Sequence, residues 1–266
     1  MLRMALLSLA SQSRLPDEVV VADDGSREDL PGLLKAMKSS LPFPLRFVTQ
    51  DDAGFRLARC RNNGIRIASG DLVLSTDQDI VFTKDYVRTF AEAIGTGEFI
   101  VSFPVRLDAD QTTGLTEKRV SEADYAGLVR PEQLKEINGQ YRKDLFYRVL
   151  YALKLRRIGP KLRGGVFGAW REDLLAVNGF DENYKGWGNE DDDLGHRLYR
   201  YGITGRNVTR TELPLHLEHP VNNAALKRPN LPYYQKRLAE IRSGTFLAPN
   251  GIKNPLDPDL PRVLVI

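Results

Sequence analysis

The chain has 266 residues, enough for one large domain or two small ones with a substantial buried core. Its 42% hydrophobic and 27% charged residues are ordinary for a globular protein, and no run of about 18 apolar residues offers a membrane span. Lysine plus arginine exceeds aspartate plus glutamate by only 38 − 35 = 3, which excludes a general polyanion binder, so no nucleic-acid partner is expected.

Leu2, Leu6, Leu9 and Ala10 recur at helical spacing and predict a helix over 2–12. Leu15-Pro16-Asp17 breaks it, and Glu18–Ala22 is a β-branched run suited to a buried parallel strand. The turn Asp23-Asp24-Gly25-Ser26 leads into a helix over about 28–39, a strand over Leu45–Thr49 and a helix over Phe55–Ala68. Arg56, Arg59, Arg61, Asn62 and Asn63 crowd into two turns of that last helix. Asp71–Thr76 reads as the next strand and ends in Asp77-Gln78-Asp79. Strands alternating with helices imply an α/β layered fold with a mostly parallel sheet. Ligands of such sheets sit at the carboxyl ends of the strands, where both acidic turns fall.

A helix over 84–96 and a strand over Phe99–Pro104 follow. The segment 108–163 is polar at first, then helical from about 131 to 157, with Leu145, Val149, Leu150 and Leu153 as an apolar stripe. Basic residues concentrate over 142–163 on its other faces. Either the stripe packs on the core with its cations solvated, or the basic helix rests on an anionic membrane surface or on a lipid-linked, phosphorylated acceptor. Next come the glycine-rich loop at Gly164-Gly165, a short helix over Glu172–Val177 and the turn Gly179-Phe180-Asp181-Glu182. Leu213–Leu217 reads as a strand carrying His216, and an amphipathic helix is expected over about 231–243. The chain ends in the β-branched run Arg262–Ile266.

Six features carry chemistry. Gly186-Trp187-Gly188 precedes Glu190-Asp191-Asp192-Asp193, four carboxylates running into a helix with Leu194, Leu198 and Tyr201 on one face. The macrodipole favours negative charge at a helix start by roughly 0.3–1 kcal/mol. Trp187 between glycines is an aromatic plate suited to a sugar ring or base; alternatively it packs in the core above a solvated acidic turn. Asp77 and Asp79 would share a face in extended backbone and offer hard oxygen ligands for Mg²⁺ or Mn²⁺, or they simply end the strand in a turn. His216 is a candidate third ligand, and His216-Leu217-Glu218-His219 holds two of the chain's three histidines. Asp24 is placed to accept from a base N–H, Arg56 and Arg59 to neutralise phosphates, and Gly164-Gly165 to let backbone approach a ligand. Each of these is also ordinary turn or surface chemistry.

In order, Asp-Asp-Gly-Ser, Arg-Asn-x-Gly-Ile-x-x-Ala-x-Gly-Asp, Asp-x-Asp, Gly-Gly, Gly-Phe-Asp-Glu and Gly-Trp-Gly-x-Glu-Asp-x-Asp together resemble the family 2 glycosyltransferases of GT-A fold. The late segment is similar to that of β-1,4-galactosyltransferases and chondroitin polymerases. The resemblance covers about residues 2–220. It implies an inverting transfer from a UDP-sugar to a hydroxyl of a glycan or lipid-linked acceptor, assisted by Mn²⁺ or Mg²⁺. Asp191 would be the general base, with Glu190 beside it orienting the acceptor. Asp24 would bind the uracil ring, and Arg56 would face the nucleotide. Asp77 would hold the donor, Asp79 and His216 the metal, and Gly165 and Trp187 would line the sugar site.

The implied organisation is one domain over 1–220: a nucleotide half at 1–107, a basic helical insert at 108–163 and an acceptor half at 164–220. Residues 221–266 form a C-terminal extension packed on it. The single Cys60 and the resemblance together imply a cytoplasmic protein of bacterial surface-glycan assembly, peripheral at the inner face of the plasma membrane through 142–163. The family's first strand, which lies centrally in the sheet, is missing before residue 1. Either residues 262–266 fill that slot, as in a circular permutation, or the chain is truncated and the missing strand impairs nucleotide binding. A nucleotidyltransferase is the rival enzyme, although no glycine-rich phosphate loop with a lysine appears. A non-catalytic sugar-binding domain is the other rival.

Overall fold

The computed structural model describes residues 1–210, 212–220 and 229–266. In chain order the elements are α1 (Leu2–Ala10), β1 (Val19–Asp23), α2 (Leu30–Met37), β2 (Leu45–Thr49), α3 (Leu57–Ile67), β3 (Leu72–Thr76) and β4 (Ile80–Phe82). They continue with α4 (Tyr86–Ala93), β5 (Glu98–Val101), β6 (Val105–Arg106), α5 (Ala109–Gly114), α6 (Glu117–Ser121) and α7 (Pro131–Ala152). The last are β7 (Val166–Trp170), α8 (Arg171–Ala176), α9 (Glu190–Tyr201), β8 (Thr204–Asn207), β9 (Pro214–His216), α10 (Leu231–Ser243) and β10 (Arg262–Val265). The class is α/β with mixed sheets and flanking helices, as the alternating pattern implies.

The chain divides into two compact units. The first comprises Met1–Pro16, Leu74–Ala169 and Thr204–Pro220. Its strands form the order β3-β7-β5-β8 and a second sheet β4-β9-β6. Val81, Val105, Leu107, Val120 and Leu215 anchor one core cluster there, with Met4 and Leu7 of α1 packed against it. Phe82, Tyr86 and Phe90 stack in series, and Gly168 of β7 lies directly over the last ring. A Cβ at Gly168 would sit 1.5 Å from Phe90 Cζ, so no larger residue fits.

The second unit comprises Asp17–Val73, Trp170–Ile203 and Val221–Ile266, of which 221–228 lie outside the described residues together with that part of the expected C-terminal extension. β1 pairs parallel with β2 through the crossover α2, in register Val19–Leu45 to Asp23–Thr49. α2 starts on Asp29, whose carboxylate accepts from Gly32 N–H at 2.9 Å. α9 ends on Gly202 at φ +107°, the left-handed stop a helix takes most readily with glycine.

Three expectations need correction. Asp77-Gln78-Asp79 is not extended: Ile80 N–H bonds back to Asp77 C=O at 3.3 Å, so the segment is a tight turn between β3 and β4 and the shared-face argument does not apply. α7 stops at Ala152, and residues 153–163 follow as turns, so the helix is shorter than the expected 131–157. Its Leu145, Val149 and Leu153 stripe faces outward and is exposed, because Ile137 and Asp144 supply the buried side.

The third concerns the terminal run. Arg262–Val265 is a strand, but it pairs antiparallel with β2 in the order β1-β2-β10 and occupies a sheet edge instead of a central slot. Its approach is set by Arg262, whose guanidinium meets Asp51 Oδ1 at 3.0 Å, and by Asp257, which holds Arg56 and Arg59.

Candidate active site

In the first unit, the β3–β4 turn, the end of β9 and the residues after it bring together three side chains able to ligate a metal. Asp79 Oδ2 lies 3.5 Å from His216 Nε2 and 3.0 Å from His219 Nε2. One ligand atom from each residue falls within 4.8 Å of the other two. The backbone fixes the arrangement: Leu217 N–H donates to Asp79 C=O at 2.8 Å, and Leu107 N–H to His216 C=O at 2.9 Å. Asp79 Oδ1 is buried without a hydrogen-bond partner among the described residues, a costly state that a cation would relieve. One carboxylate with two imidazoles suits Mn²⁺ better than Mg²⁺, which prefers oxygen alone. His219 thus stands beside Asp79 and His216, the two residues that the sequence offers as candidate ligands. Asp77 lies outside this set. Its N–H donates to Gly165 C=O at 3.0 Å, and a Cβ at Gly165 would meet Asp77 Oδ2 at an ordinary 3.5 Å.

In the second unit, Asp24 follows β1 and faces the start of α3. Its Oδ2 accepts from Arg56 N–H at 2.6 Å, and its Oδ1 accepts from the Gln50 amide. Burial holds the Asp24 carboxyl above the usual aspartate range. Neighbouring Asp23 goes the other way. Burial opposes its ionisation, but hydrogen bonds from Ser26 and Thr49 outweigh that and lower its pKa. Gly25 sits at φ +82°, with its Cβ direction only 2.5 Å from Asp52 N, so the turn requires glycine. Arg56 Nη1 meets Asp257 Oδ2 at 3.0 Å, and Arg59 binds the same carboxylate and the Asp259 carbonyl. These groups line a cleft of about 130 Å³ with Thr49, Gln50 and Arg262.

α9 sorts its four acidic residues by burial. Glu190, Asp192 and Asp193 are buried, and Asp191 remains half-buried. Glu190 Oε1 meets Arg61 Nη1 at 3.2 Å. Asp193 is ion-paired to Arg197 one turn on at 2.5 Å, with both side chains fully buried. Asp191 Oδ1 accepts from Asp192 N–H at 2.8 Å. The turn before the helix runs through Gly186, Gly188 and Asn189, all at positive φ, and leaves Trp187 53% exposed, not packed as core. Asn230 pins that turn by donating to Gly188 C=O at 2.9 Å and Trp187 C=O at 3.4 Å. Tyr201, expected on the apolar face, is exposed.

Sequence reasoning missed the partners: Arg61 for Glu190, Asp257 for Arg56 and Arg59, and Arg237, which approaches both Asp181 at 3.3 Å and Asp193 at 3.6 Å. Burial first, and then the Asp193 charge, raise the Asp181 carboxyl.

These positions belong to a known pattern. Over residues 144–220 the chain matches the family model described as the N-terminal domain of galactosyltransferase. It is 26% identical to the chondroitin synthase of Escherichia coli over 267 residues, covering 92% of this chain and 38% of that one. The structure of S. aureus TarS 1–349 in complex with UDP-GlcNAc superposes with a TM-score of 0.64 at 15% identity, covering 95% of this chain and 64% of the other. That of GalNAc-T7 with UDP, GalNAc and Mn²⁺ gives 0.54 at 14% identity, covering 89% and 50%. The chain therefore spans less than two thirds of the length of each of these proteins. The likeness in structure gives the fold, GT-A, which agrees with the strand–helix order above. Residues 1–159 match the model described as glycosyl transferase family 2, and with more than half of its length so matched, the chain belongs to that family.

Proposed function

We propose that the chain is a glycosyltransferase that moves a sugar from a UDP-sugar to a hydroxyl of a glycan or lipid-linked acceptor, with inversion at the anomeric carbon. The observation that carries this reading is the burial pattern of α9: of four successive carboxylates, Asp191 alone is left half-exposed at the positive helix end. Family membership favours glycosyl over nucleotidyl transfer.

In the reaction the acceptor oxygen forms a bond to the anomeric carbon as the bond from that carbon to the UDP oxygen breaks. UDP leaves with the electron pair, and the acceptor proton passes to the Asp191 carboxylate. A base is needed because the hydroxyl is a weak nucleophile while its proton remains. Asp192 N–H fixes one Asp191 oxygen and so orients the other. Glu190, tied to Arg61, orients the acceptor, and exposed Trp187 supplies a flat apolar face for a sugar ring. Asp24 accepts from the uracil, Arg56 faces the nucleotide, and Asp77 and Gly165 meet the donor sugar. Asp79, His216 and His219 would hold Mn²⁺, which when bound supplies positive charge against the departing diphosphate.

The test is Mn²⁺-dependent release of UDP from a panel of UDP-sugars by the parent and by Asp191→Asn. One sugar should be turned over, with kcat about 10²–10⁴-fold lower in the variant and nucleotide binding retained. Equal turnover by both proteins would remove Asp191 as the base. UDP binding without turnover of any sugar, with or without glycan acceptors, would favour a binding domain.

A further inference from the structure

From Tyr141 through Arg163 stand eight basic residues and one acidic residue, Asp144. Asp144 is buried and spent internally: it accepts from Asn207 at 2.6 Å and meets Arg163 at 3.3 Å. Over the same stretch Leu145, Phe146, Val149 and Leu153 are 48–62% exposed, and Leu155 just beyond the helix is 70% exposed. Monomeric proteins seldom gather large apolar side chains in one exposed patch without a partner for it. Arg142, Lys154 and Arg157, interspersed with these apolar groups in sequence, are exposed and form no ion pair among the described residues.

We propose that the C-terminal half of α7 and the basic segment after it are a docking surface for an anionic lipid bilayer. Apolar side chains on one face with a cationic rim are what a helix lying in the headgroup layer requires. The apolar groups enter the acyl boundary, while lysine and arginine stems reach outward to lipid phosphates. No helix among the described residues is long and apolar enough to cross a membrane, so the contact is peripheral. A second copy of the chain is a poorer occupant, because a two-fold interface sets this cationic face against itself. The proposal stands apart from the transfer reaction, since none of these residues has a role in it.

The test is co-sedimentation of the full chain with vesicles of mixed phosphatidylglycerol and phosphatidylcholine, and with vesicles of phosphatidylcholine alone. Binding should require phosphatidylglycerol and fall steeply with salt. Arg142→Gln/Lys154→Gln/Arg157→Gln should weaken it about tenfold or more. Leu145→Ser/Val149→Ser/Leu153→Ser should weaken it similarly. Because all six side chains are exposed, both variants should keep the parent melting temperature and its rate with water-soluble substrates. Equal pelleting with phosphatidylcholine alone, or unchanged pelleting of either variant, would overturn the proposal. So would a dimer in solution that the leucine variant dissolves while neither protein binds vesicles.

Discussion

Asp79 Oδ2 and His219 Nε2 lie 3.0 Å apart, closer than the 3.5 Å from the same oxygen to His216 Nε2. Replacing one ligand of a three-residue set should weaken metal binding by at least the roughly 10–100-fold that outer-shell changes cost. His219→Ala is expected to do so in a calorimetric Mn²⁺ titration, and Asp79→Asn more strongly, because it also removes the charge. Asp77→Asn should leave Mn²⁺ affinity without nucleotide nearly unchanged, since Asp77 lies outside the set. If Asp77→Asn were the more damaging change, the assignment of ligands would be wrong.

Asp257 occupies Arg56, which the family resemblance turns toward the nucleotide, and Arg59, which its charge alone offers to phosphates. A hydrogen bond from its own chain at Asp259, followed by the Arg59 charge, holds the Asp257 carboxyl below its usual range. A carboxylate between two guanidiniums competes with any phosphate for the same donors. Asp257→Ala should therefore tighten UDP binding, by about threefold or more in a fluorescence titration at low salt. Weaker binding in the variant would mean that Asp257 instead holds Arg56 and Arg59 in their useful positions.

Asp24 gives a pH signature. Its carboxyl is raised above 3.8 by burial, so the folded chain holds that proton more tightly than the unfolded chain does. For such a group stability falls as pH rises between the unfolded and the folded pKa, and the cost is fully present above the folded value. Asp24→Asn lacks that titration. The urea stability of the parent minus that of the variant should accordingly increase as pH falls from 7 toward 4. A difference that stays flat, or that shrinks on acidification, would contradict the burial of this carboxyl.

Periodicity made the regular elements legible: Leu45–Thr49 and the helix near 231–243 were readable because their apolar spacing runs for at least five residues. β4 and β6, of three and two residues, carry too few positions to show a period and went unread. At 77–79 an extended and a turn conformation both fit the sequence, because a strand follows immediately and nothing in Asp-Gln-Asp distinguishes a pause from a continuation. Of the site, the residue types and their order were legible through the family pattern. The partners were not: Arg56 and Asp257 are 201 residues apart, and no local rule pairs them. The α7 stripe shows a third limit, since spacing identifies an apolar face without saying what covers it.

The buried pair Asp193–Arg197 tests whether α9 is held by its charges or only by packing. Both side chains are 0% exposed and 2.5 Å apart, and Arg197 Nη1 also donates to the Val177 carbonyl at 2.8 Å. Methionine at 197 would roughly fill the arginine's apolar volume, because its chain is unbranched and adaptable. It would leave the Asp193 carboxylate to the Tyr184 hydroxyl at 3.3 Å and to Arg237 at 3.6 Å. Removing one partner of a buried pair costs about 3–5 kcal/mol, whereas replacing both by apolar groups is often neutral. Arg197→Met should therefore lose about 3 kcal/mol or more in urea unfolding, and Arg197→Met/Asp193→Leu should recover most of that loss. A double variant as unstable as the single one would show that Asp193 has a positive role at the helix start, through Tyr184 and Arg237, beyond neutralising Arg197.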